Sequence, residues 1–376
     1  MEQYLKDIIF YRPLTAWLAG RGWQAWQPLL DFAYMLLSAI IVLVFILLTA
    51  LFLIWLERKV CGRIQRRLGP MLTGPRFLAR ICIWTGGLLQ TTADTLKLLL
   101  KEDIIPTKAD RWVFIIAPVV VFTACMMAFV VLPFGPGLIV KDLNIGVLYL
   151  MAVGTFSVIA IVMGGYASNN KYSLLGAMRS AAQIISYEVP LFFAFLGPVL
   201  AAGTLSMAGI VEAQISLGWF LIPQFIGFLV YLIASTAEIN RPPFDIPEAE
   251  QELVQGFNTE YSGMKFAMFF LAEFTNMFIA SSIAVTLFMG GWTLPFGLDD
   301  KIVSFLHFPY ALQALGIVVF LLKVYLLILL FMWIRWTFPR LRPDQLMSFS
   351  WKVLLPFAFL NLIIACSQVL WRLPPA

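Results

Sequence analysis

The chain has 376 residues, of which 61% are hydrophobic and only 12% charged, with a formal net charge of +5. A soluble domain carries about 25% charged residues, and no soluble domain is left over once the apolar runs are counted. The four cysteines (Cys61, Cys82, Cys125, Cys366) form no CxxC, and the one histidine, His307, falls in a connecting loop. This argues against an iron–sulfur cluster, a disulfide framework, haem or zinc on this chain.

The composition predicts an all-α polytopic membrane protein. Residues 1–31 are amphipathic, with Trp17, Trp23 and Trp26, and read as an N-terminal interfacial segment without a cleavable signal pattern. Residues 32–371 read as one membrane domain of eight spans, each near the ~20 residues needed to cross the hydrocarbon core. The predicted limits are Ala33–Trp55, Trp112–Leu132, Ile145–Tyr166, Tyr187–Ala208, Trp219–Ala237, Phe266–Met289, Leu312–Trp333 and Val353–Leu370. The fourth is the weakest, being interrupted by Pro190, Gly197 and Pro198. There is no internal repeat.

The first loop, residues 57–111, carries 11 bases against five acids. It reads in part as a positive-inside anchor for anionic lipid. Within it, Ile83–Leu100 shows apolar residues at helical spacing with Asp94 and Lys97 on one side, which predicts an amphipathic helix lying along the membrane surface. Counting bases over all loops puts 19 Lys and Arg on the side of this loop and 6 on the other. This side is expected to be cytoplasmic, with both termini on the opposite face.

The loop over residues 238–265 departs from its basic surroundings. Glu238 to Tyr261 holds six of the chain's 21 acids (Glu238, Asp245, Glu248, Glu250, Glu252 and Glu260) with one base, Arg241. Such a cluster between membrane-length apolar runs is costly unless it faces water, a partner or a polar cavity. Arg241-Pro-Pro-Phe cannot be regular helix, whereas Asp245-Ile-Pro-Glu248 reads as a helix start with Asp245 as N-cap. Such a cap explains two acids and leaves Glu250, Glu252 and Glu260 without a structural reason.

Ionisable residues inside or at the edges of the spans are the second signal. Glu188 is expected at the start of span four, Glu238 at the end of span five, Glu273 about eight residues into span six, and Lys323 near the middle of span seven. Each needs a partner or a water path. Glu273 and Lys323 could simply lock two helices together. Four such residues on four helices read instead as a proton relay.

At this point several blocks become recognisable. WLERK (Trp55–Lys59), KEDIIP (Lys101–Pro106), ASNNKYSLLGAMRSAAQIISYEVP (Ala167–Pro190), AEINRPPFDIPEAEQELVQGFNTEYSG (Ala237–Gly263), LAEFTN (Leu271–Asn276) and MWIRWTFPRLRPDQLM (Met332–Met347) resemble the quinone-chamber membrane subunits of respiratory complex I. That family spans the bacterial NADH–quinone oxidoreductases and their mitochondrial counterpart.

The resemblance implies an eight-span heel docked under a hydrophilic arm, with quinone bound as substrate between this chain and the arm's quinone-site subunits. Electrons would come from an iron–sulfur cluster in the arm. Small membrane subunits and antiporter-like pumping subunits would be the lateral neighbours, in a bacterial inner membrane. Glu57, Arg58, Arg67, Arg241, Asp245, Glu248 and Glu250 would line or abut the chamber. Glu188, Glu238, Glu252 and Glu273 would match the acidic path leading from it, with Lys323 as the basic residue of span seven. Arg335, Arg340, Arg342 and Asp344 match the cytoplasmic end of that span.

The chain departs from the family pattern in about ten extra residues after Gly74-Pro75, a stretch holding Arg76, Arg80, Cys82 and Trp84. The nearest rival is the homologous membrane subunit of a proton-pumping [NiFe] hydrogenase or of a ferredoxin-dependent complex. A transporter working alone would be expected to show inverted repeats.

Overall fold

The structure is a computed structural model in which residues 27–71, 73, 86–247, 250–295 and 311–372 are described. Most of the N-terminal interfacial segment, the stretch 76–85, Glu248 and His307 lie outside the described residues, as does the side chain of Glu250. Among the described residues the secondary structure is helical, with a single Gly135–Leu138 bridge and no strand.

The first helix, α1 (Gln27–Ile64), has 38 residues, about 57 Å at 1.5 Å per residue. It continues past the predicted end at Trp55 because Glu-Arg-Lys-Val-Cys contains no helix breaker. Glu57, Arg58 and Lys59 therefore sit on a helix rather than in a loop. The surface helix α2 (Leu89–Leu100) is shorter than predicted, with a turn over residues 86–88. Helices α3 (Arg111–Ala128) and α4 (Gly146–Ala167) lie close to their predicted limits.

Helix α5 (Lys171–Ala202) corrects the fourth span. It starts sixteen residues earlier than predicted, after Asn170, whose side chain caps it by accepting from the Tyr172 N–H at 3.0 Å. Pro190 and Pro198 lie inside it without ending it. A proline removes one N–H and frees the carbonyl four residues back. For Pro190 that carbonyl belongs to Ser186, and the Ser350 hydroxyl donates to it at 2.7 Å. Glu188 consequently lies in the middle of a helix, not at its start.

Two shorter helices follow, α6 (Met207–Leu217) and α7 (Phe225–Glu238). At 14 residues, α7 spans about 21 Å, less than the hydrocarbon core, where a full fifth span was expected. After the one-turn α8 (Glu250–Leu253) come α9 (Gly263–Phe288), α10 (Ala311–Thr337), α11 (Pro343–Phe349), a π turn at Ser350–Leu354 and α12 (Leu355–Arg372). Among the described residues, seven helical runs are long and apolar enough to cross a membrane: α1, α3, α4, α5, α9, α10 and the run from α11 to α12.

The bundle is built around α9, whose most apolar stretch is 72% buried, against 22% for α1 at the rim. Phe278 of α9 stacks on Phe129 with ring centroids 5.8 Å apart and meets Phe45 of α1 edge-on at 5.7 Å. Aromatic pairs of this kind add roughly 0.5–1.5 kcal/mol beyond their buried area. Gly176 of α5 allows close approach of the chain after α8: a Cβ there would stand 2.7 Å from the Gly256 Cα. That contact seats the acidic loop on α5, where Ser173 donates to the Phe257 carbonyl at 3.2 Å.

Candidate functional site

The site lies where the acidic loop returns into the bundle. Its first half, Ile239–Pro247, has no helix to satisfy its backbone, and α5 supplies the partner. The Gln183 amide donates to the carbonyls of Ala237 and Phe244, both at 2.7 Å, and to the Asn240 side chain at 3.2 Å. Asn240 in turn donates to the Ser180 hydroxyl at 3.1 Å. The Leu341 N–H donates to the Pro243 carbonyl at 3.1 Å, tying the loop to the segment after α10. Gln183, Asn240 and Ser350 were not singled out in the sequence. Their signal there is a polar side chain in an otherwise apolar helix or beside a proline.

This scaffold points Arg241 inward, to 2% exposure. Its guanidinium donates from Nη1 to Glu57 Oε2 of α1 at 2.8 Å and from Nε to Glu273 Oε1 of α9 at 3.0 Å. Arg335 of α10 donates to the other Glu57 oxygen and stands 3.9 Å from Glu273. The Arg241 Cζ also lies 4.7 Å from the centre of the Phe274 ring. Two acids and two arginines from four elements thus form a charge-balanced quartet, with Arg241 and Glu57 buried and Glu273 and Arg335 half-buried. Burial works against the Arg241 charge, but Glu57 and Glu273 outweigh it and hold its pKa above the ordinary arginine value. The Arg241 Nη2 has no hydrogen-bond partner among the described residues.

Asp245 lies beside the quartet. It is expected to cap a helix starting near Pro247; the described part of α8 starts at Glu250, and Glu248 and Ala249 lie outside the described residues. The Asp245 Oδ2 accepts from Arg340 Nη2 at 2.8 Å. Burial pushes the Asp245 carboxyl up to about 6, against the opposing pull of Arg340 and Arg335.

Glu238 and Glu188 are built differently. With Gly154 and Ser157 of α4, Tyr231 of α7 and Asn276 of α9, they line a cavity of about 70 Å³. At about 10–15 Å³ per water, that is room for a few waters. Neither acid has an ion-pair partner among the described residues. Asn276 accepts from the Cys125 thiol at 3.1 Å on the cavity wall, and neither residue was picked out in the sequence.

The remaining expected residues lie elsewhere. Glu252 pairs with Arg179 at 2.7 Å on the surface. Arg58 pairs with Asp94 of α2, which ties the surface helix to α1. Arg67 is exposed and, among the described residues, its side chain reaches the Cys61 sulfur at 3.6 Å; Arg342 and Asp344 are exposed. Lys323 does not meet Glu273. It is buried and donates to the carbonyls of Met289, Gly291 and Thr293.

The comparisons with known proteins bear on what this arrangement serves. The family model for NADH dehydrogenase matches residues 37–366. The chain belongs to that family. It is 47% identical over 352 residues to the NADH-quinone oxidoreductase H chain of Carboxydothermus hydrogenoformans, covering 93% of both proteins. It is 50% identical over 309 residues to the correspondingly named chain of Anoxybacillus flavithermus, covering 82% of this chain and 86% of the relative. The NADH-quinone oxidoreductase subunit 8 of Rhodothermus marinus is 45% identical over 333 residues, which cover 87% of this chain and 95% of that one. Each relative is named as one subunit of an enzyme complex. Family membership extends across the quartet, the Asp245–Arg340 pair and the cavity, since all their residues fall within the matched range.

Proposed function

We propose that this chain forms the membrane half of the quinone chamber of an NADH–quinone oxidoreductase and converts quinone reduction into a change of protonation inside the bundle. The hydrophilic arm's quinone-site subunits would close the chamber over the acidic loop on the cytoplasmic side of a bacterial inner membrane. The antiporter-like subunits would receive the signal laterally. The observation that carries this reading is a graded series of acids: Asp245 paired at the loop, Glu57 and Glu273 neutralised by two arginines, then Glu238 and Glu188 unpaired around a cavity.

Reduction of a quinone to a quinol takes up two electrons and two protons, so the charge near the loop changes when electrons arrive before protons or when nearby acids supply the protons. Unit charges at ~4 Å interact by about 1 kcal/mol in water and about 4 kcal/mol at intermediate dielectric. A change of that size shifts nearby carboxyl pKa values by one or more units. Asp245 and Arg340 sense it first. The quartet passes it on as a change of field, because its charges are balanced and hydrogen-bonded. Glu238 and Glu188 respond by taking up or releasing a proton, with the cavity as the local water path. Glu252, on the surface with Arg179, stands outside this route.

The test is NADH-driven quinone reduction with simultaneous proton uptake in membrane vesicles carrying Glu188→Gln or Glu238→Gln. Native gels would report assembly. Assembled complex with proton uptake reduced tenfold or more is the expected result. Native turnover and a native proton-to-electron ratio in both variants would end the relay reading.

A further inference from the structure

The far end of α9 carries a device that the relay does not use. The last four carbonyls of any helix lack partners within it. Here each is satisfied. Val285 accepts from the N–H groups of Met289 at 3.0 Å and Gly291 at 2.9 Å, and Phe288 accepts from the Leu221 N–H at 2.8 Å. Thr286 and Leu287 both accept from the Gln214 side chain of α6, at 2.8 and 3.2 Å. The Gln214 Oε1 accepts from the Gly290 N–H at 2.9 Å, closing a reciprocal clamp.

Beyond the helix, Gly290 (φ +70°) and Gly291 (φ +53°) turn the chain in the left-handed region, which a side chain would resist. The turn brings three carbonyls onto the Lys323 ammonium: Met289 at 2.7 Å, Gly291 at 3.0 Å and Thr293 at 2.6 Å. The Lys323 Nζ also lies 4.3 Å from the centre of the Trp219 ring.

An ammonium has three N–H donors and no lone pair. Three carbonyl oxygens therefore match the protonated form. A neutral amine would turn its lone pair against one of them, and the aromatic face attracts the cation more strongly than a neutral amine. The charge also sits at a helix C-terminus, where the macrodipole favours a cation.

We propose that Lys323 keeps its proton through turnover and acts as a fixed cationic clamp on the end of α9, positioning the helix that carries Glu273 rather than carrying protons itself. The inference rests on the coupling function proposed above. It replaces the relay role expected for Lys323 from the sequence.

The experiment uses the full complex in vesicles with Lys323→Arg, Lys323→Gln and Gln214→Leu, reading the proton-to-electron ratio and the melting temperature of the assembled complex. Arginine cannot release a proton at working pH and glutamine has none to release, yet both can donate to carbonyls. A native ratio in every assembled variant is expected. The melting temperature should fall for Lys323→Gln and Gln214→Leu, and Lys323→Arg should recover part of the Lys323→Gln loss. A reduced ratio at native melting temperature in either Lys323 variant would overturn the proposal. If the Lys323 variants do not assemble, Gln214→Leu decides, and a native melting temperature there would remove the clamp. Wild-type vesicles that reduce quinone without proton uptake would instead sink the coupling reading and leave the clamp standing on its melting temperatures.

Discussion

Glu57 and Glu273 share one bundle with Glu188 and Glu238, yet the two pairs are treated in opposite ways. The first pair meets Arg241 and Arg335 in direct hydrogen bonds, and its charges cancel. The second pair faces a small cavity and no cation among the described residues. A buried acid held by an arginine is locked to its partner, because losing either one strands the other. An acid facing a cavity has no such lock, and its protonation can follow the field around it. The same residue type in the same bundle is thus paired with arginine in one place and set around a cavity in the other; under the proposed function the first pair is a strut and the second a responder.

The strongest way to break this contrast is Arg241→Met. It leaves Glu57 and Glu273 with Arg335 alone and strands one negative charge in a buried site. Removing one partner of a buried pair costs about 3–5 kcal/mol. Little assembled complex should remain on a native gel, whereas Glu238→Gln, which strands no charge, should assemble at the wild-type level. Equal assembly of both variants would mean that the quartet is not a strut.

Much of this architecture is legible in the amino-acid sequence. The limits of α3, α4 and α9 follow from apolar runs bounded by charge or glycine, and the 238–265 loop stands out by its cluster of acids. The pairing is not legible. Arg241 and Glu57 are 184 residues apart, and nothing local in either segment names the other. Local grammar does not name the tertiary partner of Asp245, Arg340. It fails at Pro190, where the break expected from proline is repaired by Ser350 from a distant turn. In both places a long-range hydrogen bond supplies a partner that the local sequence does not show. The cavity between Glu188 and Glu238 depends on the depth of α5, which the same proline obscures.

Asp245 stands between the two kinds of acid and sharpens the comparison. Its side chain is 9% exposed, while its partner Arg340 is 42% exposed, so the pairing is weaker than in the quartet. Burial raises the carboxyl from 3.8 to about 6. A carboxyl raised on folding contributes stability that is full below its ordinary value and is lost as pH rises through about 6. The melting temperature of the wild-type complex should therefore decline across that window, and the decline should be shallower in Asp245→Asn. Quinone reduction should run the other way, falling to half near pH 6 as the ionised carboxylate is lost. Asp245→Asn should lack that acid limb. An unchanged pH profile in the variant would remove Asp245 from the responding group.

The smallest expected effect tests the cavity itself. Gly154 of α4 faces Glu238, and a Cβ added there would meet only the Glu238 Oε1, at 3.5 Å, an ordinary contact. Gly154→Ala should therefore fit, and replacing a mid-helix glycine should stabilise by roughly 0.5–1 kcal/mol. Proton uptake and quinone reduction should stay at wild-type rates, with a slightly higher melting temperature. Gly154→Leu carries three further carbons into the space beside Glu238 and should slow proton uptake several-fold in a complex that still assembles. The alanine variant controls for the loss of glycine, so the difference between the two substitutions isolates the occupied volume. Equal proton uptake by both would show that protons reach Glu238 without this cavity, and the unpaired acids would lose the feature that sets them apart from the quartet.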